Sequence, residues 1–205
     1  MSAPTCFFMN RLTPCPFNLG SGIQRGSTYP LIGDPLSPGW ASIPNAYRLD
    51  PKDVTNFPKI PGQPIGYDDA KFFLDIMEGP EVPIEWKGAI NTTYNLGGSM
   101  KNGYKVKLST HNYFGSKKSS NVIGYVKGEV EPDRYVLMSN HRDAWGYGSV
   151  DPSSGTSQMM EIARTLGEML KKGWKPRRTI VLVSWASEEY TLGGNSSFEY
   201  ILSIT

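Results

Sequence analysis

The spacing of apolar residues changes character along the chain. Residues 20–64 are crowded with Pro and Gly in stretches such as GDPLSPGW and FPKIPGQPIG, which force turns and extended segments and prevent long helices. Phe72, Phe73, Ile76 and Met77 then recur at helical spacing behind Asp68 or Asp69 as N-cap, with Gly79-Pro80 as a stop. A short amphipathic helix is predicted over 68–78. The segment YKVKLST at 104–110 alternates, placing Tyr104, Val106 and Leu108 on one face, and predicts a half-buried strand. A polar stretch, HNYFGSKKSS, follows. It marks a boundary near Gly115 between a first domain over 1–115 and a second over 116–205.

Beyond the boundary the pattern is regular. Residues 121–130 and 134–138 are rich in β-branched positions and read as strands separated by the turn GEVEPD. Met159, Ile162, Ala163, Leu166, Met169 and Leu170 share one face of a helix predicted over 155–172, with Lys171 and Lys172 in its last turn and Gly173 as the C′ residue. The run TIVLVS at 179–184 is unbroken, as expected of a strand covered on both faces. Strand, helix and strand in succession make a βαβ unit with a right-handed crossover and a parallel sheet. The fold class is therefore α/β.

Composition narrows the function. A chain of 205 residues with 39% hydrophobic and 20% charged content is globular. Lys and Arg total 21 against 19 Asp and Glu, with no dense basic run, so nucleic acid is not an expected partner. The longest apolar runs are strand-length, far below the ~20 residues needed to span a bilayer. The N-terminus lacks the basic and apolar regions of a signal peptide. Cys6 and Cys15 are too few for a disulfide framework or a Cys-x-x-Cys metal site. Asn91 and Asn195 each begin a glycosylation triplet.

The candidate chemistry lies in residues 139–190. His141 and Asp143 fall at the end of one predicted strand, Asp151 in the loop after it, and Glu188 with Glu189 just past the next strand. Open parallel sheets bind ligands outside the carboxyl ends of their strands. Adjacent strands lie about 4.8 Å apart, so side chains from paired strand ends can converge. An imidazole with several carboxylates suits Zn²⁺, and a carboxylate left over beside the ion can take the proton of a water whose pKa the metal has lowered toward ~7. Taken singly, His-x-Asp is a capped loop, Asp before a helix is a cap, and Glu-Glu is a solvated pair. Their placement on one edge of one βαβ unit is what points to a metal site.

The stretch NHRDAWGYGSVDPSSG, followed by SWASEEYTLGG, resembles the paired metal motifs of the glutamate carboxypeptidase II family, which includes the N-acetylated alpha-linked acidic dipeptidases, among the co-catalytic zinc exopeptidases. Similarity continues upstream through VIGYVKGEVEPDRYV, PIGYDDA, GDPLSPGW and IQRG. The resemblance implies that Asp151 bridges two zinc ions, that His141 binds one and Glu189 the other, that Glu188 is the general base, and that Asp143 orients His141. It also implies that residues 1–115 are part of a protease-associated (apical) domain and 116–205 the first half of the peptidase domain. The implied activity is removal of a C-terminal residue, glutamate, from short peptides. An extracellular or cell-surface glycoprotein ectodomain is implied as well, homodimeric in the complete family protein.

Some family features have no counterpart here. Each ion in the family takes a further ligand, an Asp and a more distant His, and no Asp or His follows Glu189; the other histidine, His111, precedes the peptidase segment. The expectation is an incomplete site in a truncated chain, weakly active or inactive by itself. Ser27 stands where the family has a substrate-contacting asparagine, so no substrate-binding residue is assigned. The family's calcium site is matched by Ser37 and Trp40, but its acidic partners fall at Ser197 and Tyr200, with Glu199 close, and no calcium site is assigned. The alternative function is a non-catalytic, receptor-like interaction module of the transferrin-receptor-like branch.

Overall fold

The computed structural model describes residues 20–194 apart from positions 24 and 30. Cys6, Cys15, Asn195, Ser197, Glu199 and Tyr200 lie outside the described residues. Two compact units are formed. One joins the described residues before Gly26 to Ile60–Asn112; the other joins Gly26–Lys59 to the described residues from Tyr113 onward. The crossing at Tyr113 lies beside the expected boundary, but an unbroken first domain over 1–115 does not form. Residues 26–59 group with the second unit because Phe57 meets Phe114 edge-on at 5.3 Å and the Gly33 N–H donates to the Thr191 carbonyl at 2.7 Å.

In the first unit, helix α1 (Tyr67–Ile76) is N-capped by Gly66, without a side-chain cap bond. Asp68 and Asp69 lie in its first turn, so neither is the cap expected; there they face the positive end of the helix. After α1 the chain runs extended, and isolated bridges pair Met77 with Met100 and Glu81 with Asn95. The strand expected over 104–110 does not form. Tyr104, Val106 and Leu108 remain 58%, 54% and 47% exposed, and no ladder partner stands beside them among the described residues. Alternation defines a face, but a strand also needs a neighbour for its backbone groups.

The second unit holds strands β1 (Val122–Val126) and β2 (Glu131–His141), helix α2 (Ser153–Lys171) and strand β3 (Arg178–Trp185). The sheet order is β1-β3-β2. β2 and β3 are parallel, from Tyr135 opposite Thr179 to His141 opposite Trp185, and α2 makes the crossover. β1, in contrast, is antiparallel to β3, so the sheet is mixed rather than wholly parallel. The short connection from β1 to β2 reverses the chain and passes over the start of β3. There the Gly128 N–H donates to Thr179 Oγ1 at 3.0 Å, and a Cβ at Gly128 would meet the Arg178 backbone at 2.6 Å.

β3 is central and carries the core. Val183 is fully buried, and Thr179, Trp185 and Ala186 are buried with it. Ile180, Val181 and Leu182 between them are only half-buried, so the double covering expected of this run is not reached along its middle. At the amino ends of β2 and β3, Glu131 meets Arg177 at 2.8 Å and Arg178 at 3.1 Å. At the carboxyl end, Asn140 Nδ2 donates to Thr156 Oγ1 at 2.8 Å and lies 2.6 Å from the His141 carbonyl, while Thr156 Oγ1 donates to that same carbonyl at 2.9 Å. This junction ties the end of β2 to the first turns of α2. α2 ends at Lys171, with Lys172 as its C-cap and Gly173 at φ 88° beyond it.

Val183→Ala should cost about 2 kcal/mol by urea denaturation, whereas Val122→Ala at an exposed position should change stability by less than about 0.5 kcal/mol. The glycines of α2 should respond in opposite directions. A Cβ at Gly167 meets nothing within 4 Å, so Gly167→Ala should stabilise by ~0.5–1 kcal/mol. A Cβ at Gly155 would lie 2.2 Å from Asn140 Oδ1, so Gly155→Ala should lower the urea midpoint, at a cost of ~1–3 kcal/mol.

Candidate metal centre

His141 is the last residue of β2, and Glu188 and Glu189 follow the last residue of its parallel neighbour. Because His141 is opposite Trp185, both strand ends deliver their next residues to one edge of the sheet. The His141 side chain is 15% exposed; its Nδ1 lies 3.0 Å from the Asp143 carbonyl, and its Nε2 lies 2.8 Å from Asp151 Oδ1. Both ring nitrogens thus face oxygen acceptors, Nδ1 a backbone carbonyl and Nε2 the Asp151 carboxylate. Asp151 enters from the loop before α2 and remains mostly exposed.

Glu188 and Glu189 are placed by their backbone. The Asp143 carboxylate accepts the Glu188 N–H on one oxygen at 3.0 Å and the Glu189 N–H on the other at 3.1 Å. Asp143 was expected to orient His141. Its carbonyl contacts the ring, while its carboxylate stands 3.8 Å from Nδ1 and is engaged by the two amides. The Glu188 carboxylate lies 3.7 Å from Nδ1. Ahead of the turn, Asn121 accepts the Ala186 N–H at 2.9 Å and donates to the Gly194 carbonyl at 3.0 Å. Trp145, whose ring packs against Tyr190 at 5.1 Å, gives its backbone N–H to the Glu189 carboxylate.

One ligand atom from each of His141, Asp151 and Glu189 lies within 4.8 Å of the others. Burial, and then the nearby Asp151 charge, push the Glu189 carboxyl above its ordinary range, with Glu188 adding to the effect; the Trp145 N–H and His141 oppose it. Carboxylates crowded in this way repel one another until a cation sits among them. One imidazole and two carboxylates are also the donor set of hydrolytic zinc sites, so these residues fit the ion.

The remaining residues singled out in the sequence stand apart from this cluster. Ser27 is exposed, and its Oγ accepts the Tyr29 N–H at 3.2 Å. Ser37 is buried and donates to Asp34 at 2.8 Å, Trp40 is exposed, and Asn91 is exposed on a turn. His111 lies in the other unit. Asn140, Thr156, Asn121 and Trp145 escaped the sequence reading. The adjacency of Asn140 to His141 and of Thr156 to the start of α2 was the available signal.

Residues 121–200 match the model of peptidase family M28. The chain is 49% identical over 185 residues to the mouse (Mus musculus) protein named aminopeptidase NAALADL1, an alignment covering 87% of this chain and 25% of that protein. It is 42% identical over 187 residues to a Zea mays probable glutamate carboxypeptidase, covering 88% of this chain and 26% of the relative. It is 41% identical over 184 residues to a Caenorhabditis briggsae glutamate carboxypeptidase 2 homolog, covering 86% and 24%. The chain thus spans about a quarter of the length of the curated relatives it matches. The chain is thus similar, from β1 through the whole His141, Asp151 and Glu189 cluster, to peptidase family M28, and over most of its length to proteins named aminopeptidase and glutamate carboxypeptidase.

Proposed function

We propose that this chain carries the metal and base residues of a zinc-dependent exopeptidase that acts on short peptides as a carboxypeptidase, releasing a C-terminal glutamate. The observation that supports this reading best is the gathering of His141, Asp151 and Glu189 within 4.8 Å at the carboxyl ends of two paired parallel strands. These three residues would hold the metal. Zinc, when bound there, supplies Lewis acidity that lowers the pKa of a water and polarises the scissile carbonyl.

The chain's own groups do the rest. Glu188, partly exposed beside His141, takes the proton of the attacking water and returns it to the leaving amine. Asp143 keeps that carboxylate in place by holding both amides of the Glu188-Glu189 step. The Asp143 carbonyl, 3.0 Å from Nδ1, would hold the His141 ring with Nε2 turned toward Asp151.

The relatives' names favour a second reading of which peptide end is recognised. One is named an aminopeptidase and others glutamate carboxypeptidases. An N-blocked dipeptide ending in glutamate and an aminoacyl amide with a free amine separate the two. The carboxypeptidase reading expects cleavage of the first, and cleavage of the second alone reverses it.

Zinc that equilibrium dialysis finds on the wild-type chain should be lost from His141→Ala and Glu189→Ala. Glu188→Gln should keep the zinc and lower kcat by ~10²–10⁴. Equal zinc content in all four proteins would overturn the ligand assignment. No zinc in the wild type would fit the incomplete site expected from the sequence, or a non-catalytic binding module, and not a working centre in this chain.

A further inference from the structure

The turn that carries Glu188 and Glu189 is held from a side that the chemistry does not use. Ser187, Thr191 and Leu192 have φ values of 60°, 74° and 59°, a conformation that costs non-glycine residues and persists only where neighbours over-determine it. Within the turn, the Leu192 N–H donates to the Glu188 carbonyl at 2.7 Å and the Gly193 N–H to the Ser187 carbonyl at 2.9 Å. Asp143 grips the near side. Gly33 grips the far side: its N–H donates to the Thr191 carbonyl at 2.7 Å, and its carbonyl lies 2.9 Å from Thr191 Oγ1, whose one proton it shares with the Tyr190 carbonyl.

Gly33 is anchored in turn by its neighbour. Asp34 Oδ1 accepts the Leu36 N–H at 3.0 Å, and Oδ2 accepts the hydroxyls of Ser37 at 2.8 Å and Ser42 at 2.6 Å, with Arg48 Nε at 4.0 Å. Arg48 also donates to the carbonyls of Ile43 and Ala46, at 3.0 Å and 3.2 Å, and the Leu49 N–H closes the loop onto Leu36 at 2.7 Å. Burial pushes the Asp34 carboxyl up, but the Ser42 hydroxyl, the Leu36 N–H, the Ser37 hydroxyl and the Arg48 charge outweigh it and hold the group below its ordinary range. The hub is therefore ionised at neutral pH.

We propose that residues 33–49 form a positioning device for the metal centre, in which the Asp34 hub makes the loop rigid and the Gly33–Thr191 clamp passes that rigidity to the turn presenting Glu188 and Glu189. The inference rests on the zinc reading above. Asp34 and Thr191 touch neither metal nor substrate in this scheme. They act through the placement of a ligand and a base.

Two readouts test it: amide exchange at Leu192 and Gly193, and zinc affinity measured by competition with a chelator. Thr191→Val removes one hydroxyl bond at nearly constant shape, and Asp34→Ala removes the hub. Both should speed exchange in the turn and weaken zinc binding about tenfold, the usual effect of losing a group that supports a ligand. Thr191→Ser should restore both, and Gly167→Ala, on the open side of α2, should alter neither. If Asp34→Ala fails to fold, the two Thr191 variants decide. A wild type that binds zinc while Thr191→Val exchanges and binds like it overturns the inference alone. A wild type that binds no zinc overturns the zinc reading and the inference together.

Discussion

Everything at the candidate centre depends on the register between β2 and β3. Side chains alternate across a strand, so a slip of one residue would carry His141 to the opposite face of the sheet, away from Glu188 and Glu189. Three features oppose a slip. Val183 and Trp185 bury alternate positions of β3, Glu131 meets Arg178 at the amino ends, and Asn140 with Thr156 fastens the carboxyl end to α2. The histidine is thus placed by packing and hydrogen bonds made elsewhere on its strand.

The acidic residues are arranged differently. Asp151 is set by the loop entering α2, whereas Glu188 and Glu189 are set by amides that a third carboxylate holds. A charge-assisted bond to backbone N–H is stronger than a neutral one, and here Asp143 makes such bonds with both oxygens. A turn of unfavourable φ values is thereby kept in one shape, and its two glutamates point where the strand alone would not send them.

Much of this was legible in the sequence, for identifiable reasons. The apolar spacing of Met159 to Leu170 and the glycine at 173 specify α2 because helical periodicity and C-terminal glycine are local signals. His141, Asp151 and Glu189 were found together because each follows or precedes an element whose period is clear. Local signals are blind to partners. The alternation of Tyr104, Val106 and Leu108 could not supply a neighbouring strand, and the direction of β1 is decided by its short connection past Gly128 rather than by its own residues. The bonds of Asp143 to Glu188 and Glu189, and of Gly33 to Thr191, join segments distant in sequence, and a loop polar group has too many possible partners for composition to choose one.

The ionic groups at the two ends of the β2–β3 pair give the sheet an electrical direction. Arg177 and Arg178 surround a single glutamate at the amino ends, and Asp143, Asp151, Glu188 and Glu189 crowd the carboxyl ends. A formal net charge of +2 conceals this separation. The acidic end attracts cations and repels anions before either makes contact. The two edges of one small sheet thus sort ions by sign, an effect that rising salt weakens as it screens both ends.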